Sequence, residues 1–191
     1  MRRLTLVPIV HSEADLGRLA DSVWQEKVRV YGERAAQESR DKVTRYWESL
    51  TELLEERFPS FEGIKVFQDG LPVAQGVERK ITEDLAAQGS ANHRLIPRML
   101  DGGAELVGTE SPELLIEEYR RAQAALETGA PSIDDDASRN LLDRRDQFIA
   151  KRVDECLPAE GQGVLLLGLL HNVIEKLPDD LDLEALFPQT N

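Results

Sequence analysis

Two histidines and a glutamate close three apolar, strand-like runs in this chain, and each is followed at once by a helix-capping residue. The runs are Leu4-Thr5-Leu6-Val7-Pro8-Ile9-Val10-His11-Ser12, Glu105-Leu106-Val107-Gly108-Thr109-Glu110-Ser111 and Val164-Leu165-Leu166-Leu167-Gly168-Leu169-Leu170-His171-Asn172. Ser12 has Asp15 and Asn172 has Glu175 three residues on, both capping-box patterns, while Ser111 precedes a proline suited to a first helical position. In a parallel α/β sheet such strand-to-helix junctions open on one edge, the carboxyl ends of the strands. Neighbouring strands are roughly 5 Å apart, so His11, Glu110 and His171 could converge on one ion. Two histidines and a carboxylate with open positions form a ligand set for a divalent cation that activates water. Helix amino termini behind the site would favour an anionic substrate, with Glu110 offsetting their repulsion of a cation. The alternative is that His11 and His171 are separately placed and bond nearby carbonyls.

Arginine enters the same chemistry from the helix expected over residues 136–157. Its apolar arc is Leu141, Leu142, Phe148, Ile149, Val153 and Cys156, and at 100° per residue Arg145 and Arg152 fall inside that arc. A guanidinium facing a core must find carboxylates, carbonyls or a bound anion. Arg145 is read either as a clamp on substrate or developing negative charge, or as the partner of a structural acid such as Asp146 or Asp15. Asp69, in the turn Asp69-Gly70-Leu71-Pro72, is assigned with Arg145 to substrate binding, and Glu110 with Arg145 to catalysis. His93, before Arg94 on a polar stretch, is expected to be exposed. Cys156 is the only cysteine and reads as a small buried hydrophobe, so no intrachain disulfide can form.

The elements that must position these residues follow from the apolar pattern. Residues 4–10, 64–68, 104–109 and 164–169 are continuous rather than alternating apolar runs, as expected of parallel strands covered by helices on both faces. The expected fold is α/β, one domain over 1–191, with a mostly parallel sheet of about four or more strands. Residues 13–58 keep helical spacing in two apolar stripes separated by a polar stretch. A single helix of that length would reach roughly 65 Å, so it must bend, with Gly32 the candidate break, or project. A projecting helix would need a partner to bury Tyr46, Trp47 and Leu50, which motivates a homodimer. Further helices are expected from Thr82, around Pro97, over 112–128, and in the tail around 181–186. Asp134, Asp135 and Asp136 read as a cap and dipole match rather than a calcium loop.

Composition narrows the function classes. With 191 residues, 41% hydrophobic, 31% charged and a net charge of −13, the chain reads as a folded domain whose partners are neither nucleic acid nor anionic membrane. Met1-Arg2-Arg3 followed by an apolar run imitates a signal peptide, but the run is too short and lacks a small-residue cleavage site. The expected location is the cytoplasm. Walker, dinucleotide-binding glycine, His-Glu-x-x-His, Cys-x-x-Cys and Gly-x-Ser-x-Gly patterns are all absent from the sequence.

The block Arg145-Asp146, followed after Phe148, Ile149 and Val153 by the run ending Gly168-Leu169-Leu170-His171, resembles the Gly-x-x-His superfamily. That group includes Tiki metalloproteases, TraB pheromone-shutdown proteins, erythromycin esterases and ChaN-like haem-binding proteins. The resemblance supplies Gly168-Leu169-Leu170-His171 as the second motif, Glu110 as the acid and Arg145 as the helix arginine. The first motif departs from the pattern, with Pro8-Ile9-Val10-His11 carrying proline where the glycine would stand. By this resemblance the activity would be metal-dependent hydrolysis of an amide or ester in a peptide or small molecule, with manganese, cobalt or zinc. A second reading uses the same pocket as a noncatalytic site for a small anionic metabolite or haem, and a third makes the long helical segment a docking surface.

Overall fold

The computed structural model describes residues 1–12, 15, 19–128 and 135–187. In chain order its elements are β1 (Arg2–Ile9), α1 (Ala20–Tyr31), α2 (Glu33–Arg57), β2 (Lys65–Gln68), α3 (Glu78–Ala87), α4 (Ala91–Asp101), β3 (Glu105–Val107), α5 (Pro112–Thr128), α6 (Asp136–Cys156), β4 (Gln162–Gly168), a 3-10 turn (Ile174–Lys176) and β5 (Leu181–Ala185). The strands form one five-stranded sheet in the order β3-β2-β4-β1-β5, and every pairing is parallel. The α/β architecture expected from the continuous apolar runs is therefore the observed one.

Both faces of the sheet are covered, which is why the central strands carry no polar alternation. Val66, Val164 and Leu166 join Trp47, Leu50 and Leu54 of α2 and Ile96 and Met99 of α4 in one core. Phe67 and Leu165, the next residues along those strands, face the other way and pack with Ile149 and Val153 of α6. Opposite pointing of successive side chains is the ordinary pleat. Two buried layers convert it into uninterrupted hydrophobicity.

Pro8 sits in a strand paired on both sides, a placement that normally costs a ladder hydrogen bond. Here β5 pairs with β1 only from Arg2 to Leu6, and the last bond on that side runs from the Leu186 amide to the Leu6 carbonyl at 2.9 Å. The backbone of Pro8, two residues on, faces the same side, beyond the end of β5. The Pro8 carbonyl is taken instead by the Tyr46 hydroxyl at 2.5 Å, and the Val10 carbonyl by the Trp47 indole N–H at 3.0 Å. Burial pushes the Tyr46 phenol up to about 12, so it stays a donor at any physiological pH.

The segment 181–186, expected to be helical, is instead the edge strand β5. Leu181, Leu183 and Ala185 alternate with Asp182 and Glu184, a period of two, and β1 would otherwise present an open edge of unpaired backbone groups. The helix expected from Thr82 begins four residues earlier, leaving Thr82 buried inside α3 with its hydroxyl on the Glu78 carbonyl at 3.1 Å.

The long helical region breaks at Gly32 into a hairpin. Gly32 has φ 84° and ψ 154°, a region open essentially to glycine alone. The Arg40 guanidinium lies 3.5 Å above the Trp24 ring, with the two residues eight positions either side of the turn, so α1 runs back along α2. No residue of α1 is buried, whereas Trp47 and Leu50 of α2 are 3% and 0% exposed within the chain's own core. Those two side chains therefore need no partner subunit to cover them.

Because a Cβ at Gly32 would meet nothing within 4 Å, the cost of a side chain there is backbone strain alone. Gly32→Ala should lower stability by about 1–3 kcal/mol, read as a shift of the urea midpoint at unchanged slope.

Candidate functional site

Four strands of the sheet end at one crevice. β1 leads to His11, β2 to Asp69, β3 to Glu110, and β4 to Gly168 and His171. The connections after β2 and β3 are stitched together. The Leu71 carbonyl accepts from the Thr109 and Glu110 amides, both at 2.9 Å, and the Glu110 carbonyl accepts from the Val73 amide at 2.9 Å. This holds Asp69 and Glu110 side by side although they are far apart in the chain. Ligand-type atoms of Asp69, Glu110 and His171 all lie within 4.8 Å of one another.

Arg145 of α6 binds the two acids together. Its Nε donates to Glu110 Oε2 at 2.9 Å, one terminal nitrogen donates to Glu110 Oε1 at 2.5 Å and to Asp69 Oδ1 at 2.9 Å, and the other pairs with Glu118 of α5. All three nitrogens are engaged with the protein's own carboxylates. A planar fork on a carboxylate is the strongest geometry such a pair can adopt. The acids paired with Arg145 are Glu110, Asp69 and Glu118, not Asp146 or Asp15.

The two acids are not equivalent. Burial pushes Asp69 up, but hydrogen bonding and charge from His171, together with Arg145, carry it well below the usual carboxylate range. Burial pushes Glu110 above its ordinary value despite the Arg145 fork, and the neighbouring Asp69 charge adds to that. Two acids in contact divide in this way, one holding the negative charge and the other resisting it.

Asp146, the residue after Arg145, aims about 100° around the helix and fixes His171. Its Oδ1 lies 2.5 Å from His171 Nδ1, and its Oδ2 accepts from the Asn172 amide at 2.8 Å. This leaves Nε2 turned to Asp69, 3.3 Å from Oδ1. Burial alone would lower the imidazole, but Asp146 and Asp69 on either side push it up to about 9. A carboxylate behind one ring nitrogen with the other facing a site is the arrangement that orients metal-ligating histidines.

Gly168 is required by contact, not by torsion. A Cβ there would lie 2.7 Å from Asp69 Oδ2, 3.4 Å from His11 Nε2 and 3.5 Å from His171 Cδ2. Its amide donates to Asp69 Oδ2 at 2.9 Å. Asp69 therefore rests directly on the glycine of the Gly-x-x-His segment, with both imidazoles around it.

His11 stands at the rim with half its side chain exposed. Its Nε2 is 3.9 Å from Asp69 Oδ2 and its Nδ1 3.7 Å from Asp15 Oδ2. Asp15, then the Asp69 charge, raise it above the ordinary histidine value against the opposing effect of burial. His93, expected to be exposed, is buried at the start of α4. Its Nδ1 is 2.7 Å from the Ser90 hydroxyl and 2.8 Å from Asn92 Oδ1, and the Ser90 hydroxyl donates on to Asp15. Burial would raise Asp15, but bonds from His11, His93, Ser90 and the Ser12 amide bring it well below the usual range.

The sequence placed His11, Glu110, His171 and Arg145 at this edge, and all four are there. Asp69, Glu110 and His171 form the tight set, while His11 borders it through Asp69. Asp146 as the orienting partner of His171, and the Ser90, Asn92 and His93 cluster behind Asp15, were not singled out as site residues. Asp69 carried the same signal as the others, an apolar run (64–68) ending on an ionisable side chain. The Asn172 pattern opens only the 3-10 turn Ile174–Lys176, with Asn172 Nδ2 donating to Glu175 at 2.6 Å. At the third junction Ser111 caps α5, accepting from the Leu114 amide at 3.3 Å. Asp134 lies outside the described residues, and Asp135 caps α6. No helix among the described residues is long and apolar enough to cross a membrane.

The chain matches no protein-family model, no curated protein and no solved structure.

Arg145→Met removes the counter-charge from two buried carboxylates and should cost about 3–5 kcal/mol, measured by urea unfolding, with most of the loss recovered when Glu110→Gln is added. His171 gives a pH signature in the metal-free protein. Its pKa is raised from 6.5 to about 9, so its contribution to stability is complete below pH 6.5 and disappears as pH rises through about 9. Unfolding midpoints across that window should fall in the wild type and flatten in His171→Gln; equal slopes in the two proteins would contradict the assignment.

Proposed function

We propose that this crevice is a divalent-metal centre and that the protein is a metal-dependent hydrolase of an amide or ester bond. The observation that carries the reading is the donor set itself. Two carboxylates and one imidazole, from Asp69, Glu110 and His171, lie within 4.8 Å of one another at the carboxyl edge of a parallel sheet. Mixed oxygen and imidazole donors suit manganese, cobalt or zinc. The donors fit such an ion in chemistry. Both Glu110 oxygens are held by Arg145, so Glu110 would share an oxygen with the ion or release one of those bonds.

In this reading Asp69 and His171 Nε2 are the principal ligands, with Glu110 completing the set. Asp146 keeps a hydrogen bond on His171 Nδ1 and so commits Nε2 to the site. A bound divalent ion supplies Lewis acidity and makes water a stronger acid. His11, half-exposed between Asp15 and Asp69, is placed to carry a proton at Nε2 between the crevice and solvent. Arg145 commits four of its five N–H groups to Glu110, Asp69 and Glu118 and holds Asp69 and Glu110 in register, which supports a positioning role over the clamp role.

The test is metal uptake by the chelator-stripped chain. One manganese, cobalt or zinc ion per chain should bind by calorimetry, and cobalt should give a d–d absorption band. Asp69→Asn and His171→Ala should each weaken binding at least a hundredfold while far-ultraviolet circular dichroism stays unchanged. Metal-dependent release of nitrophenol or nitroaniline from ester and peptide anilide substrates should accompany it. Uptake unaffected by both substitutions would overturn the metal centre, and uptake without turnover on either bond type would leave a binding site in place of an enzyme.

A further inference from the structure

Helix α5 turns an apolar face outward. On its inner side Glu117 pairs with Arg144 at 3.1 Å, Glu118 with Arg145, and Arg121 with Asp135 at 2.8 Å, tying it to α6 and the turn before it. On its outer side Ile116 and Tyr119 are 50% and 44% exposed. With Leu115, Pro112 and Pro72 they line a surface groove of about 500 Å³. This volume lies within the range of small-molecule sites, roughly 300–1,000 Å³, which are mainly apolar with a few polar groups.

Two residues of the groove neighbour the site along the backbone. Pro72 forms a backbone bridge with Glu110, and Pro112 follows Glu110 by two residues. One cation, Arg120, lines it. Arg121 of the same helix and Arg144 opposite are paired, whereas Arg120 has no ion pair or hydrogen bond among the described residues. An unpaired arginine on an apolar wall is complementary to an anion with a hydrophobic body. A second copy of the chain fits poorly. Glu113, Glu117 and Glu118 share this helix, and like charge on two strongly acidic copies opposes their approach.

We propose that this groove binds the alkyl or aryl portion of a small amphipathic anion, with Arg120 holding its negative group. The substrates of the adjoining crevice are then compounds with an apolar body and a carboxylate or similar anionic group. That last step rests on the hydrolase reading above; binding in the groove does not.

Decanoate is the probe, titrated into the full chain below its micellar concentration by calorimetry and methyl NMR. Saturable binding with shifts at Leu115 and Ile116 is expected, at least tenfold weaker in Arg120→Gln and lost for decyltrimethylammonium, which carries the opposite charge. Absence of saturation, or equal binding of the cationic chain and of decanoate to Arg120→Gln, would overturn the proposal. Light scattering that shows a dimer dissociated by Ile116→Asp would also overturn it, since the face would then be a self-interface. The two readings separate cleanly. Decanoate bound by a chain that takes up no metal keeps the groove and removes the metal centre, and metal uptake without decanoate binding removes the groove alone.

Discussion

The arrangement turns on one buried cation. Arg145 is 5% exposed and answers Glu110 and Asp69, which are 0% and 6% exposed. Without it two adjoining carboxylates would stand in a place where isolated charge is expensive. The position of α6 is constrained accordingly. Residue 145 must reach the ends of β2 and β3, and residue 146, one step around the same helix, must reach the segment after β4. Consecutive residues on a helix diverge by about 100°, so a rotation of α6 that improved one contact would spoil the other. The packing of Ile149 and Val153 against Phe67 and Leu165 sets that rotation, and the polar centre inherits its geometry from the hydrophobic layer beneath it.

Such a cluster is a poor device for stability. Replacing buried ionic groups by well-packed apolar ones is often neutral or favourable, because desolvation offsets most of the Coulomb attraction. Ionisable side chains from the ends of four strands are gathered where ligands bind in parallel sheets, and that placement supports the proposed metal centre. The glycine supports the same view. Gly168 has no unusual torsion to satisfy, yet a methyl group there would press on Asp69 and His11. The requirement comes from the side chains packed against the glycine. The corresponding place before His11 is Pro8, whose carbonyl is engaged by Tyr46.

Much of the framework was legible because burial on both faces writes a strand as an unbroken apolar run, and strand ends then mark the ligand edge. His11, Glu110 and His171 were readable by that rule alone, and Asp69 obeyed it as well but was read mainly as the start of a turn. What could not be read is what depends on pairing across the fold. β5 has an apolar period of two over only five residues, too short to outweigh its helix-forming Leu, Glu and Ala until the open edge of β1 is considered. His93 sits among polar neighbours in sequence, and only the packing of α4 against the core encloses it. Asp146 adjoins Arg145 in a run of charges, and nothing local distinguishes the acid that holds His171 from Asp143, which pairs with Lys176 at the surface.

The protonation pattern gives the crevice a coherent resting state. With Asp69 and Asp146 flanking its two nitrogens, His171 holds a second proton well above neutral pH, and that proton occupies the direction from Nε2 toward Asp69 in which a metal ligand would offer its lone pair. In the proposed metal centre a proton and a divalent ion would be alternatives at the same atom. Of the two acids that make the imidazole basic, Asp146 and Asp69, Asp69 would also stabilise an ion. The two effects would not cancel, because a divalent charge would interact with Asp69 and Glu110 together, whereas the imidazolium is held by Asp146 and Asp69. Arg145 limits the excess of negative charge in the meantime, keeping the acids close enough to act jointly while the imidazolium stands between Asp69 and Asp146.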